Sequence, residues 1–342
     1  MALGITKKTV FLFGGLGIAA VAMTGLFVAE TGQKALIAES RSYLSIVGGE
    51  KKDAVGAFLD GKRDFVAALA KAPEIRDLLD RVAEPDVARS TQDALLAKLN
   101  AQLKPWAETM DSVDLISILH PRTGQVIASS HPSEVGKLKE NRAYYRDGLT
   151  DPNLGSPYYS LTNRRPVMYG SAPVRGADNA VVDVLALRID FTGLSRVLSR
   201  GLQQFATIDA FLVNKEHLYV TQPRLMKETA VLRTRNESPV VRGCLSGRSG
   251  LTEGINGFGS RVFADFRWLA PYQMCLITEV GEDEILRPVE TMQVRIALFT
   301  LLTALAAAIL AVVLARRLGP VEIQDSQTVL FMIQASFWRR LE

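Results

Sequence analysis

The stretch VDLISILHPRTGQVIA, residues 113–128, is where the chain changes character. Val113 to Leu119 is a short apolar run closed by turn residues, which reads as a strand. Gln125 to Ala128 reads as a second strand, and Arg122-Thr123-Gly124 makes the turn between them. The segment is therefore a β-hairpin. Helical spacing dominates before it, and strand candidates dominate after it.

Upstream, from Gln33 to Lys71, Leu36, Ile37, Tyr43, Leu44, Val47, Val55, Phe58, Leu59, Phe65, Val66 and Leu69 recur three and four residues apart. No Pro interrupts this stretch, although Gly48-Gly49 weakens its middle. The pattern predicts one long helix. Glu74 to Met110 is also mainly helical. Pro85 breaks it, and Ser90 is placed to cap a helix from Thr91 to Lys104.

Downstream, Pro132 to Leu149 is polar and partly helical. Strand candidates follow at Tyr158–Leu161, Val167–Val174 and Val181–Ile189, then a helix at Phe191–Leu202. The order repeats in weaker form. Ile208–Val213 is a strand, Asn214-Lys215-Glu216 a turn, and His217–Thr221 a strand pairing back. Leu251-Thr252-Glu253, Arg261–Phe266 and Met274–Val280 complete the second set. Strands bounded by turns, with helices segregated before them, predict an α+β fold of two successive antiparallel sheets.

Two apolar runs enclose this region. Val10 to Val28 has Thr24 as its one polar side chain, and Ile296 to Ala315 has Thr300 and Thr303. About 20 apolar residues cross a bilayer core, so both runs read as transmembrane helices, 10–28 and 296–315. Lys7 and Lys8 before an apolar run also suit a signal peptide. The run is long for one, and Ala29-Glu30-Thr31-Gly32 lacks a small-x-small site, which favours an uncleaved anchor. Basic residues stay in the cytoplasm. Lys7 and Lys8, with Arg316 and Arg317, therefore put residues 1–9 and 316–342 inside and residues 30–290 outside. Arg295 sits at the outer edge of the second helix, where it can snorkel.

Composition sets limits on function. The net charge is +4 and no Lys/Arg block is present, so no nucleic-acid partner is expected. Cys244 and Cys275 both fall outside, where they form either a disulfide or two free thiols packed as small apolar residues. His120, His131 and His217 lack metal-ligand spacing, so no metal is expected. Gly247-Arg248-Ser249-Gly250 is only part of a nucleophile elbow, because Leu251 stands where Gly is needed. Gly254 to Gly259 reads as a turn rather than a phosphate loop. Asn236-Glu237-Ser238 fits a glycosylation triplet, but Pro239 beside it and the bacterial setting argue against that use. No enzyme and no cofactor is expected.

The order of these elements resembles the double Cache sensor family of bacterial transmembrane receptors, over about residues 30–320. Four stretches carry the resemblance: the hairpin at Asp114–Ser129, Asn141-Arg142-Ala143-Tyr144-Tyr145, the strands Pro166–Val174 and Val181–Asp190, and the Gly-rich turn and strands of Gly247–Val280. It implies a helical stalk (30–110), a membrane-distal PAS-like module (111–203) and a membrane-proximal one (204–290). It also implies ligand residues. Arg142, Tyr144, Tyr145, Tyr158 and Asp190 stand at or near family positions that bind an amino acid. Tyr144 replaces a Trp, Ser160 replaces an acid and Lys137 replaces a Tyr. One acid fewer and one base more favour a simple carboxylate or other anion over an α-amino acid. Each residue also has a plainer reading: a surface ion pair for Arg142, core packing for Tyr144 and Tyr145, a helix cap for Asp190, and a solvated turn for Arg164 and Arg165.

Arg316-Arg317-Leu318-Gly319-Pro320 resembles the entry to a HAMP relay, and the likeness stops after Val321. Val329 to Trp338 reads as an interfacial amphipathic stretch. Either the chain is truncated or frame-shifted, or it signals through a partner. The expected function is a receptor that binds a small carboxylate or amino acid and relays a signal, as a homodimer with a cytoplasmic signalling partner. The alternative is a membrane-tethered solute-binding protein.

Overall fold

The computed structural model describes residues 5–161 and 163–317. The Val329–Trp338 stretch and most of the HAMP-like entry lie outside the described residues. The chain begins with α1 (Ile5–Ala70), followed by α2 (Pro73–Val82) and α3 (Arg89–Thr109). The hairpin comes next: β1 (Val113–Leu119) and β2 (Val126–Ser129). Then come α4 (Ala143–Gly148), β3 (Asn153–Leu154), β4 (Tyr158–Ser160), β5 (Arg165–Arg175), β6 (Val181–Ile189) and α5 (Thr192–Ser199). The second set is β7 (Asp209–Asn214), α6 (Pro239–Leu245), β8 (Gly250–Ile255), β9 (Arg261–Leu269) and β10 (Met274–Gly281). The last helix is α7 (Glu282–Arg317).

The chain divides into two compact units. One contains α1 up to Ile37 and α7 from Leu286. Both helices include a stretch long and apolar enough to cross a membrane. Leu26, Phe27, Phe299 and Leu301 on these stretches are more than half exposed. A soluble core helix would bury such side chains, so both stretches are candidate membrane spans. A Cβ on Gly25 would lie 2.5 Å from Cγ2 of Ile296. The glycine lets the two helices touch closely, as small residues do between helices in lipid.

The other unit, Ala38–Ile285, holds two antiparallel sheets. The first has the order β2-β1-β6-β5-β3, with β4 added on β5. One face carries the fully buried Ile116, Ile118, Leu185 and Leu187. Helix α3 packs on β1 and β2, and α4 packs on β5 and β6. The second sheet has the order β7-β10-β9-β8, with α6 against β8, β9 and β10. The Cys244–Cys275 disulfide joins α6 to β10 across a Cα–Cα distance of 6.0 Å.

Local expectations meet tertiary demands at several points. Gly48-Gly49 does not interrupt α1. A Cβ on Gly48 would collide with the Asp265 carboxylate, and Arg267 on β9 donates to the Ser45 carbonyl at 2.6 Å. The glycines make room for the second sheet. The third helix starts at Arg89 rather than Thr91, and Ala88, not Ser90, is its cap residue, with no side-chain cap bond. His217–Thr221 forms no regular strand. Val213 bridges Tyr219 once, while the Tyr219 amide donates to Thr234 and Leu218 bridges Arg235. Its hydrogen bonds are shared between β7 and a loop, and His217 takes a positive φ of 63°. The two-residue β3 has no counterpart among the expected strands, being too short to show a period.

Candidate ligand-binding site

The covered face of the first sheet follows from register. Residues directly opposite across an antiparallel pair share a face. Tyr169, Ser171 and Pro173 on β5 oppose Arg188, Ala186 and Val184 on β6. Ser117 and Leu119 on β1 oppose Ala186 and Val184. Small side chains thus floor this face, and Tyr169 and Arg188 rise at one end. Gly148 brings α4 close above it, since a Cβ there would run into Ser171 and Val184.

Three tyrosines wall the site. Tyr144 on α4 stacks on Tyr169 with centroids 4.2 Å apart and planes 7° from parallel. Tyr158 on β4 continues the stack, 6.2 Å from Tyr169 at 13°. Burial raises the pKa of all three, with Tyr169 pushed up to about 12. The phenols therefore stay protonated and can donate hydrogen bonds.

The charged part is centred on Arg188, which is only 5% exposed. Its Nε donates to Oδ1 of Asp114 at 2.6 Å. Asp114 reaches it because β1 shifts register between Val113 and Leu115, a bulge of the kind that re-aims a side chain. Arg165 contacts the other oxygen of Asp114. Two guanidinium groups thus share one carboxylate beside the tyrosine wall, and Asp190 also bears on Arg165. The Ser171 hydroxyl is enclosed with no hydrogen-bond partner among the described residues. An enclosed hydroxyl without a partner costs about 1 to 3 kcal/mol.

The predicted residues divide. Tyr144 and Tyr158 join the wall. Arg142 sits in the extended cap position before α4, exposed and without an ion pair among the described residues, and its charge bears on Tyr144 and Tyr158. Tyr145 belongs to the same apolar cluster, but its hydroxyl donates to the Pro121 carbonyl at 2.8 Å. That bond fixes it as packing. Lys137 is paired with Glu134 at 2.6 Å, and Lys139 pairs with the same carboxylate at 3.1 Å, so the charge of Lys137 is already answered. Asp190 Oδ1 accepts from the Thr192 amide at 2.9 Å, capping the start of α5. Ser160 accepts from Asn163. The solvated-turn reading fails for Arg165, which reaches Asp114.

Arg188, Asp114, Tyr169 and Ser171 were not among the expected site residues. One signal was present: Arg188 is the lone cation in the apolar run VVDVLALRI, and Asp114 the lone charge in VDLISIL. Two charges placed singly in different strands pair when those strands are neighbours.

The equivalent face of the second sheet is filled. Phe211, Val213, Tyr219, Val241, Ala264, Ile277 and the disulfide pack into one cluster. At its edge Glu279, 3% exposed, accepts from Asn256 Nδ2 at 2.8 Å, and Asp209 lies opposite it on β7. Asn236 of the glycosylation triplet is 1% exposed and donates to the Tyr219 hydroxyl at 2.9 Å, which is a structural use. Among the described residues, no group of three His, Cys, Asp or Glu side chains could hold a metal.

No family model matches this chain, and no curated protein matches it. Solved structures do. The sensor domain of the Vibrio cholerae histidine kinase DctB is 14% identical, with a TM-score of 0.53 over 73% of this chain and 98% of that one. The ligand-binding domain of the Campylobacter jejuni chemoreceptor Tlp3, in complex with L-valine, is 12% identical, with a TM-score of 0.54 over 74% and 97%. That of the Pseudomonas aeruginosa amino acid chemoreceptor PctC, in complex with GABA, is 16% identical, with a TM-score of 0.50 over 71% and 100%. At these identities the shared property is the fold: about three quarters of this chain has the α+β fold of these sensor and ligand-binding domains.

Proposed function

We propose that this chain is the sensing part of a bacterial transmembrane receptor, anchored in the inner membrane by two helices with residues 30–290 in the periplasm. The first module binds a small carboxylate, as a simple acid or an amino acid. The observation that carries this is the stack of Tyr144, Tyr169 and Tyr158 beside the buried Arg188, with Arg142 unpaired at its mouth. Guanidinium grips a carboxylate through parallel hydrogen bonds. Aromatic walls exclude water and strengthen the pairing. The relay runs through α7, which follows β10 without a break at Gly281 and Glu282. The Glu284 carboxylate accepts from the amides of Ala206 at 2.7 Å and Thr207 at 2.8 Å, tying the entry of β7 to the start of that helix. Output passes to a cytoplasmic signalling partner, with the receptor acting as a homodimer.

The test is calorimetric screening of the purified full chain with L-amino acids and short mono- and dicarboxylates. A carboxylate bound over Arg142 would bury that pair, so Arg142→Ala should cost about 2 to 5 kcal/mol of binding, a loss of roughly 30-fold or more. A ligand whose affinity is indifferent to Arg142→Ala, in a variant with unchanged circular dichroism, would place the site elsewhere.

A further inference from the structure

The first module has a cavity of about 410 Å³ that the reading above does not use. It lies where α1 ends. Lys71 comes from that end, Arg76 from α2, Thr150 and Asp151 from the loop after α4, and Arg175 and Asn179 from the turn between β5 and β6. Ala172 also lines it. Pro173, next to it on β5, lines the cavity too, and none of Tyr144, Tyr158, Tyr169 and Arg188 does, so the cavity is distinct from the tyrosine stack.

Its charge is unbalanced. Three cations line it against one carboxylate, Asp151. None of Lys71, Arg76, Arg175 and Asp151 takes part in an ion pair among the described residues. Arg175 is held in place, donating to the carbonyls of Asn179 and Thr150 at 3.0 Å each. Arg76 is not fully satisfied: its Nε–H is enclosed and has no acceptor among the described residues. Buried donors of charged groups almost always find a partner, and leaving one without costs more than a neutral group would. An anion in the cavity would offset the excess positive charge of Lys71, Arg76 and Arg175.

We propose that this cavity is a second anion-binding site, taking a small organic acid or phosphate ester through its carboxylate or phosphate oxygens. Thr150 lies two residues after α4, so an anion held here also bears on the helix that carries Tyr144.

The test is a calorimetric titration of the full chain in detergent with citrate, succinate and inorganic phosphate, each repeated at equal ionic strength in sodium chloride. At least one probe should bind saturably to wild type and to Arg142→Ala alike, which separates this site from the tyrosine pocket. Lys71→Ala and Arg76→Ala should each weaken that binding by about tenfold or more. Should Arg76→Ala fail to fold, Lys71→Ala, an exposed position at a helix end, decides alone. No saturable binding by any of the three probes at millimolar concentration would overturn the proposal. So would binding indifferent to Lys71→Ala, or binding that sodium chloride abolishes equally.

Discussion

The two sheets of the sensor region are built alike and finished differently. Each lays a short helix over one face of an antiparallel sheet. Under α4, the first keeps a buried cation, three phenols and an unpartnered hydroxyl pointing inward. Under α6, the second fills the same space with Phe211, Tyr219 and aliphatic side chains and fastens the helix to β10 through Cys244–Cys275. Polar groups left short of partners are costly, and natural proteins keep them chiefly where something else supplies the partner. The contrast supports the proposal that the ligand binds in the first module, with the second as its mechanical support.

The disulfide offers the largest test of that division. Replacing both Cys244 and Cys275 by Ser opens a loop spanning 31 positions. Removing the link should cost about 3 to 4 kcal/mol in the chain-entropy model. Denaturant unfolding of the variant should show that loss while affinity at the first module stays as in wild type. Equal loss of ligand binding would mean the two modules are not divided in this way.

A smaller effect comes from acids buried in both modules. Burial raises the Glu279 carboxyl to about 7, opposed by the Asn256 hydrogen bond and assisted by the nearby Asp209. Burial alone raises Asp183 on β6 to about 7. A carboxyl raised in the folded state holds its proton while the unfolded chain releases it. Their contribution to stability is therefore fully present in acid and is lost as pH rises from about 4.5 to about 7, by roughly 3 kcal/mol for Glu279. Glu279→Gln mimics the protonated acid and should flatten the second module's share of that slope, leaving the share of Asp183. Unfolding midpoints at pH 5 and pH 8 measure it. A slope unchanged by Glu279→Gln would show that Glu279 is ionised in the folded protein.

The smallest effect sharpens the boundary of the first site. Asp190→Asn keeps an acceptor for the Thr192 amide but removes the charge that bears on Lys62 and Arg165, so stability should fall by no more than about 1 kcal/mol. The order of preference among ligands should also hold. A selective loss of amino acids relative to simple acids would put Asp190 against an amine after all.

Much of the architecture was legible in residue order alone. Two charge-free runs of about 20 residues identify membrane helices because each span is set by bilayer thickness, a local property. The long helix and the hairpin at 113–128 were legible because spacing of 3.6 or 2 is repeated within a few residues. Tyr144 and Tyr158 were found by resemblance, and they do meet in one stack. What tertiary structure decided was which side chains meet across strands. Arg188 and Asp114 lie 74 residues apart, and their pairing depends on the β1–β6 register and on one bulge. Tyr145 was drawn away by the Pro121 carbonyl, Lys137 by Glu134 and Asp190 by the Thr192 amide. Local periodicity says that an element exists and which of its faces is apolar. It carries no information on which distant element comes to lie against it, because a one-residue change of register sends every side chain to the opposite face.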